Sequence, residues 1–377
     1  MTNRVLITGG AGFIGTHLAR RLLREGCQVT ILDSFSPQVH GDQRSLPPEL
    51  AGHVRLLIGD VRDRDAFQQA LDGQDMVVHL AAETGTGQSM YEVERYEQVN
   101  MGGTAVLLDC LVNDPHRHVH RIVLASSRAV YGEGKYQCPG CGVVYPAMRS
   151  AQDMQAGRFE PRCPHCGAEC SPLPTDEDSP LRPSSFYGLT KQTQEQMLSL
   201  FARSLGLSAF ILRYQNVYGP GQSLRNPYTG ILAIFASQAR SGQPIRVFED
   251  GRESRDFVYI EDAVEATWRC LGVEAGGVEV LNVGSGSRVT VSEVAQGIVQ
   301  FFGSRSEVSV TGEFRLGDIR HSLADLSRVR QRLGFEPRWS FAEGLREFLL
   351  WAEGQAAGAS QYEHSLSEMR DKGLLHG

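Results

Sequence analysis

No stretch of the chain approaches the ~20 consecutive apolar residues that a membrane-spanning helix needs. Its 37 arginines and lysines form neither a basic stripe nor a long run of one sign, and a net charge of −7 is spread over 377 residues. These absences argue against a membrane and against nucleic acid as partners, and leave nucleotide-sized ligands open. The opening residues, MTNRVLITGG, enter an apolar strand pattern without a charged leader or a small-residue cleavage site, which predicts a cytoplasmic protein. There is no internal repeat. Cysteine is scarce, at eight residues. Cys27, Cys110 and Cys270 lie singly in apolar contexts and read as small core residues. Cys138, Cys141, Cys163 and Cys166 form two C-x-x-C pairs, which in a reducing compartment read as metal ligands. Cys170 reads as inert, with a spare ligand as the alternative.

What is present is an alternation of short apolar runs and helical patterns. RVLITGG is followed by THLARRLLREG, with Leu18, Leu22 and Leu23 at helical spacing before a glycine. QVTILD ends at Asp33, VRLLIGD at Asp60, DMVVHLAA at Ala82 and RIVLASS at Ser127. Strands interleaved with helices predict an α/β fold, a doubly wound parallel (Rossmann) sheet. A strong amphipathic helix follows from about Tyr187 to Leu205, then the strand SAFILRY. Beyond it, Gly/Pro-rich loops and shorter elements predict a smaller C-terminal α/β substrate domain. The expected organisation is a nucleotide-binding domain over 1–133 and 173–214, a cysteine insert over 134–172, a substrate domain over 215–352, and a tail over 353–377. That tail is small and polar at first, and reads as a linker to a short segment without chemistry.

TGGAGFIG places Gly9, Gly12 and Gly15 after the first strand and at the start of the first helix. Glycines there allow a tight turn and close approach of a pyrophosphate to the helix N-terminus, with Phe13 and Ile14 in the same turn. Asp33, about 20 residues on, suits both hydroxyls of an adenosine ribose and repels a 2′-phosphate, favouring NAD over NADP. Asp60 with Val61 stands near the expected adenine edge, or caps the next helix. Leu80, Ala81 and Ala82 lie where the cofactor's backbone passes. Asn100, an amide in mid-helix, points to a buried hydrogen-bonding role at the cofactor.

Tyr187 and Lys191 form Y-x-x-x-K, one helical turn apart, and Ser127 ends a parallel strand, where substrates of such sheets bind. An ordinary phenol is a poor base at neutral pH, so the nearby cations are needed to favour phenolate. Together the glycine turn, Asp33, Ser127 and the Tyr187/Lys191 pair resemble the extended short-chain dehydrogenase/reductase family, specifically its nucleotide-sugar epimerases. The resemblance covers residues 4 to 350 apart from the insert. It implies Tyr187 as base, Ser127 as hydroxyl partner, and Lys191 as the group that lowers the phenol's pKa and holds the nicotinamide ribose. It also implies Asn216, Arg255 and Arg315 as contacts to the diphosphate of a nucleotide-diphosphate sugar, although each arginine alone could be a surface ion pair, and it suggests a homodimer. Where relatives that eliminate water carry an acidic pair, this chain has Arg128 and Ala129. That argues against dehydration and decarboxylation, and leaves inversion at C4 through a 4-keto sugar with NAD regenerated at each turn. The alternatives are a UDP-hexose or UDP-uronate 4-epimerase, a 4-reductase or dehydrogenase, and a silent sensor of NAD or nucleotide sugar.

C-P-G-C and C-P-H-C, 21 residues apart, predict a structural zinc (Zn2+) ribbon closed by four thiolates. A module below ~40 residues cannot bury an adequate core and relies on metal for its folding energy. The insert leaves after Ser127 and returns before Tyr187, so it is expected beside the mouth of the site, as a wall, a lid or an interface element. With AAETGTGQSMYEVERYEQVN and RYQNVYGPGQSLRNPYTG, it resembles the epimerases that convert dTDP-L-rhamnose to dTDP-6-deoxy-L-talose.

Overall fold

Period-two alternation decides which layer each strand side chain enters. Val5 and Ile7 of β1 (Arg4–Thr8) pack into one apolar cluster and Leu6 into the other. In β5 (Arg121–Ser127), Val123 and Ala125 share the first cluster, whereas Ile122 and Leu124 join the second. Strands buried on both faces need helices on both faces, which is the doubly wound arrangement. The computed structural model, which describes residues 3–228, 230–274, 276–355 and 362–377, has this form. Its seven-stranded sheet also contains β2 (Gln28–Asp33), β3 (Arg55–Ile58), β4 (Met76–His79), β6 (Ser208–Tyr214) and β7 (Val278–Val283), in the order β7-β6-β5-β4-β1-β2-β3. Every pairing in it is parallel. The order reverses between β1 and β4, opening a crevice at the strands' carboxyl ends.

The helix Phe186–Leu205 starts one residue before the predicted Tyr187, with Ser185 accepting from the Gly188 N–H at 3.1 Å. The C-terminal side is assembled from two-stranded pieces such as Asn216–Tyr218 with Phe257–Tyr259, and from helices Ile231–Arg240 and Phe341–Glu353. The stretch HRHVH, residues 116–120, is a loop before β5 with its three histidines exposed and Val119 buried. No helix among the described residues is long and apolar enough to cross a membrane.

The insert forms a three-stranded sheet in which Tyr136–Cys138 pairs with Gly142–Val144 and with Ser171–Pro172. Its apolar cluster is Tyr136, Cys138, Val144, Cys163 and Cys170. Buried ion pairs fasten it to the rest of the chain. Arg149 donates to Glu133 at 3.1 Å and to Glu249 at 2.9 Å, while Arg320 donates to Glu249 at 2.9 Å and to Glu160 at 2.6 Å. Glu249 has φ +51°, a left-handed conformation that costs energy in any residue bearing a Cβ and persists where its surroundings fix it.

The short segment expected at the end of the tail is structured. Residues 356–361 lie outside the described residues, but Tyr362–Asp371 is a helix and Leu375–His376 a strand, paired with Phe314–Arg315. Burial of Tyr362, Leu366, Met369 and Leu375 against Phe248 holds the segment down.

Candidate active site

The turn after β1 needs its glycines for space. A Cβ on Gly9 would meet the backbone of Ala81 at 2.8 Å, and one on Gly15 would meet the Gly9 carbonyl at 2.5 Å. The turn therefore packs directly on the end of β4 and on the first turn of α1 (Phe13–Arg24). No side chain caps α1, so the first-turn N–H groups of Phe13, Ile14 and Gly15 are open to an anion. Asp33 is held by the Ala11 N–H at 2.9 Å and the Phe35 N–H at 2.8 Å, one on each oxygen. A carboxylate has about four acceptor sites, so both oxygens retain capacity for hydroxyls.

One groove brings together Gly9, Asp33, Asp60, Val61, Leu80, Ala81 and Ala82. Asp60 does not cap the next helix: Asp63 does, accepting from the Asp65 and Ala66 N–H groups. Instead Asp60 pairs with Arg62 at 2.7 Å, which holds its carboxyl below the usual range. Asn100 is fully buried, and its amide bonds to the Glu83 backbone and to Thr190 Oγ1 at 3.0 Å. It thus has the buried hydrogen-bonding role expected, but these bonds fasten the loop after β4 to the Tyr187 helix, so it acts on the groove through them.

Ser127 ends β5, and its Oγ accepts from the Ala129 N–H at 3.1 Å. The Tyr187 helix comes close because residue 188 is glycine; a Cβ there would meet the Ala129 carbonyl at 2.5 Å. Burial raises the Tyr187 phenol above its ordinary value, opposed by a hydrogen bond with Ser127 and by the charge of Arg128. Lys191 is buried, donates to the Ala125 carbonyl at 2.9 Å, and is lowered by burial to about 7. Its Nζ lies 5.9 Å from the centre of the Tyr187 ring.

Beyond this triad, Arg128, Asn216, Arg255 and Arg315 line one cavity. The Arg128 guanidinium donates to Asn216 Oδ1 at 3.2 Å, and burial lowers it to about 10. Arg315 pairs with Asp318 at 2.9 Å and lies over the Phe248 ring. Arg255 is fixed by the Ser254 and Arg320 carbonyls. In the sequence Arg128 reads only as a missing acid, and nothing marks Glu253 or Tyr362, which also line this cavity. The signal for Arg128 was its place beside Ser127; Glu253 and Tyr362 had none.

The four paired cysteines also converge. Their sulfurs lie within 4.8 Å of one another, Cys138 and Cys166 at 3.5 Å, close to the ~3.8 Å edge of a tetrahedron with ~2.3 Å Zn–S bonds. The His165 N–H donates to the Cys163 sulfur at 3.4 Å. Four soft donors in a closed set fit a structural metal ion. Cys170 is absent from this cluster and sits in the insert's core.

Comparison with known proteins agrees with this geometry. The NAD dependent epimerase/dehydratase family matches residues 5–147 and 164–284, leaving a gap inside the insert. A dTDP-L-rhamnose 4-epimerase of Burkholderia thailandensis is 39% identical over 92% of this chain and 94% of its own. The UDP-glucose 4-epimerase of Thermotoga maritima, solved with UDP-glucose, superimposes with a TM-score of 0.75 at 29% identity, over 93% of this chain and 98% of that one. MoeE5, solved with UDP-glucuronic acid and NAD, gives a TM-score of 0.74 at 30% identity, over 93% and 99%. A glycine turn on a doubly wound sheet, a Ser/Tyr/Lys set at its carboxyl edge and a match across most of the chain lead to one conclusion: this protein belongs to the NAD-dependent epimerase/dehydratase family, the extended short-chain dehydrogenase/reductases that act on nucleotide sugars.

Proposed function

We propose that the enzyme inverts C4 of a nucleotide sugar through a 4-keto intermediate, with dTDP-L-rhamnose and dTDP-6-deoxy-L-talose as the pair. The observation that carries this reading is the Ser127, Tyr187 and Lys191 set opening onto an arginine-lined cavity, with Arg128 and Ala129 where elimination needs an acid and a base. The relative active on dTDP-L-rhamnose supports the choice of sugar.

Gly9, Gly12, Phe13, Ile14 and Gly15 hold the dinucleotide's pyrophosphate, and Asp33 accepts its ribose hydroxyls. Asp60, Val61 and Leu80 to Ala82 line its adenine and backbone, with Asn100 fixing the loop beside them. NAD, when bound, supplies the acceptor and later the donor of a hydride at C4. Tyr187 removes the C4 hydroxyl proton, with its phenolate favoured by Arg128 and Lys191 and opposed by burial. Ser127 hydrogen-bonds the same oxygen as it becomes a carbonyl, and Lys191 holds the nicotinamide ribose. Asn216, Arg255 and Arg315 hold the sugar nucleotide's diphosphate, so that the ring alone turns over. Cys138, Cys141, Cys163 and Cys166 hold a structural zinc.

The test is to incubate the purified enzyme with dTDP-, UDP- and GDP-sugars and resolve the C4 epimers. dTDP-L-rhamnose is expected to be epimerised without net change in dinucleotide. Tyr187→Phe is expected to lower kcat by about 10²- to 10⁴-fold; full activity in that variant would remove Tyr187 as the base.

A further inference from the structure

A polar helix at a chain end, behind a linker, ordinarily frays. Here it is tied to three separate parts of the molecule. Glu368 accepts from the Tyr228 hydroxyl at 2.6 Å and from the Tyr91 hydroxyl at 3.2 Å, joining the substrate side to the loop after β4. Arg370 donates to Glu313 at 2.8 Å. The strand Leu375–His376 pairs with Phe314–Arg315, placing Leu375 opposite Arg315, and the Leu316 N–H donates to the Leu374 carbonyl at 2.9 Å. The segment is therefore hydrogen-bonded to the strand that carries one of the cavity's arginines.

It also supplies part of the cavity surface. Tyr362 lines the same space as Arg128, Asn216, Arg255 and Arg315, and interacts electrostatically with Arg315. Met369 and Leu374 line the adjoining recess with Ser185, Arg315 and Asp318. Anchoring the helix by burial alone would require only its apolar face. A residue at its first turn, Tyr362, also brings its ring and hydroxyl to the arginine-lined cavity.

We propose that residues 362–377 are a wall of the substrate site and that Tyr362 contacts the nucleoside diphosphate of the substrate, beside Arg315, whose position the strand Leu375–His376 fixes. This rests on the nucleotide-sugar reading above. Calorimetry of the NAD-loaded enzyme with dTDP tests it. Tyr362→Ala is expected to weaken dTDP by about tenfold or more, and Tyr362→Phe, which keeps the ring in the apolar cluster, by about threefold, with NAD content unchanged. In the wild-type protein, amide exchange across 362–377 is expected to slow when dTDP is added. A folded Tyr362→Ala enzyme that binds dTDP within about twofold of wild type, even with a lowered Tm, would overturn the proposal and leave the segment a packing element. Unchanged exchange in 362–377 while amides around Arg255 slow would do the same, whether or not the variants fold. Wild-type enzyme that binds neither dTDP nor UDP would overturn the nucleotide-sugar reading itself, and this proposal with it.

Discussion

Between β5 and the Tyr187 helix the chain leaves a region held by apolar burial, enters one held by sulfur and ion pairs, and returns. The sheet side sends alternate residues into two large apolar clusters, with a buried pair, Arg213 with Glu195 at 2.7 Å, tying a strand to the Tyr187 helix. The insert buries one small cluster of Tyr136, Val144 and three cysteines, and a second in which Met154 and Phe159 pack on Phe314, still little for a module of its length. Convergent thiols and the Arg149, Glu160, Glu249 and Arg320 network supply what its core lacks. The difference shows how a module without a core of its own can sit firmly beside an active site: it borrows rigidity from a metal-type cluster inside and from buried charges at its base.

Metal removal should break this contrast most strongly, since structural zinc supplies ~10–16 kcal/mol in comparable small modules. Chelation is expected to open 136–172 to proteases, read by mass spectrometry of the fragments, while the sheet keeps its NAD. An insert that stays protected would show that the thiolates are not its anchor. Next comes the base of the insert. Arg149→Met leaves Glu249 with one fewer cation in a buried, left-handed position and is expected to cost about 3–5 kcal/mol in urea unfolding. Adding Glu249→Gly should recover only part of that loss: it removes the strain and one stranded carboxylate, but leaves Glu133 without Arg149 and Arg320 with one partner fewer.

The converse break lies in the sheet. Ile122→Ala is expected to cost about 2–5 kcal/mol without altering metal content, whereas a loss of metal would couple the two regions more tightly than their contacts suggest. The smallest effect is a pH dependence at the substrate cavity. Burial raises the Glu253 carboxyl to about 7, with Arg255 opposing. Below that pH it is neutral; above it, a negative charge enters the arginine-lined cavity and repels the diphosphate. KM is therefore expected to rise a few-fold from pH 6 to 8.5, on the order of one weak charge interaction, and Glu253→Gln should flatten the profile.

Most of the nucleotide half was legible in the sequence because its signals are local. Val5 to Ile7 alternate within three residues, Gly9 to Gly15 mark a turn that only glycine fits, and Tyr187 and Lys191 are one helical turn apart. The paired cysteines were equally legible, since C-x-x-C presets two ligands. The arginine-lined cavity was not. Tyr362 meets Arg315 from the chain's far end, and Arg149 meets Glu249 across a hundred residues, with no periodicity linking the partners. The place of Asp60 at the groove is legible but its partner is not, because whether it or Asp63 caps the helix depends on the backbone angle of the turn between them.

The central claim is that hydrogen leaves C4 and returns to the same carbon within one enzyme-bound cycle, gated by Tyr187. Running the reaction on dTDP-L-rhamnose in D2O and reading the product by NMR tests it directly. The account predicts dTDP-6-deoxy-L-talose with its original hydrogen at C4 and no deuterium at any ring carbon. Deuterium at C4 or C5 in the product would contradict it.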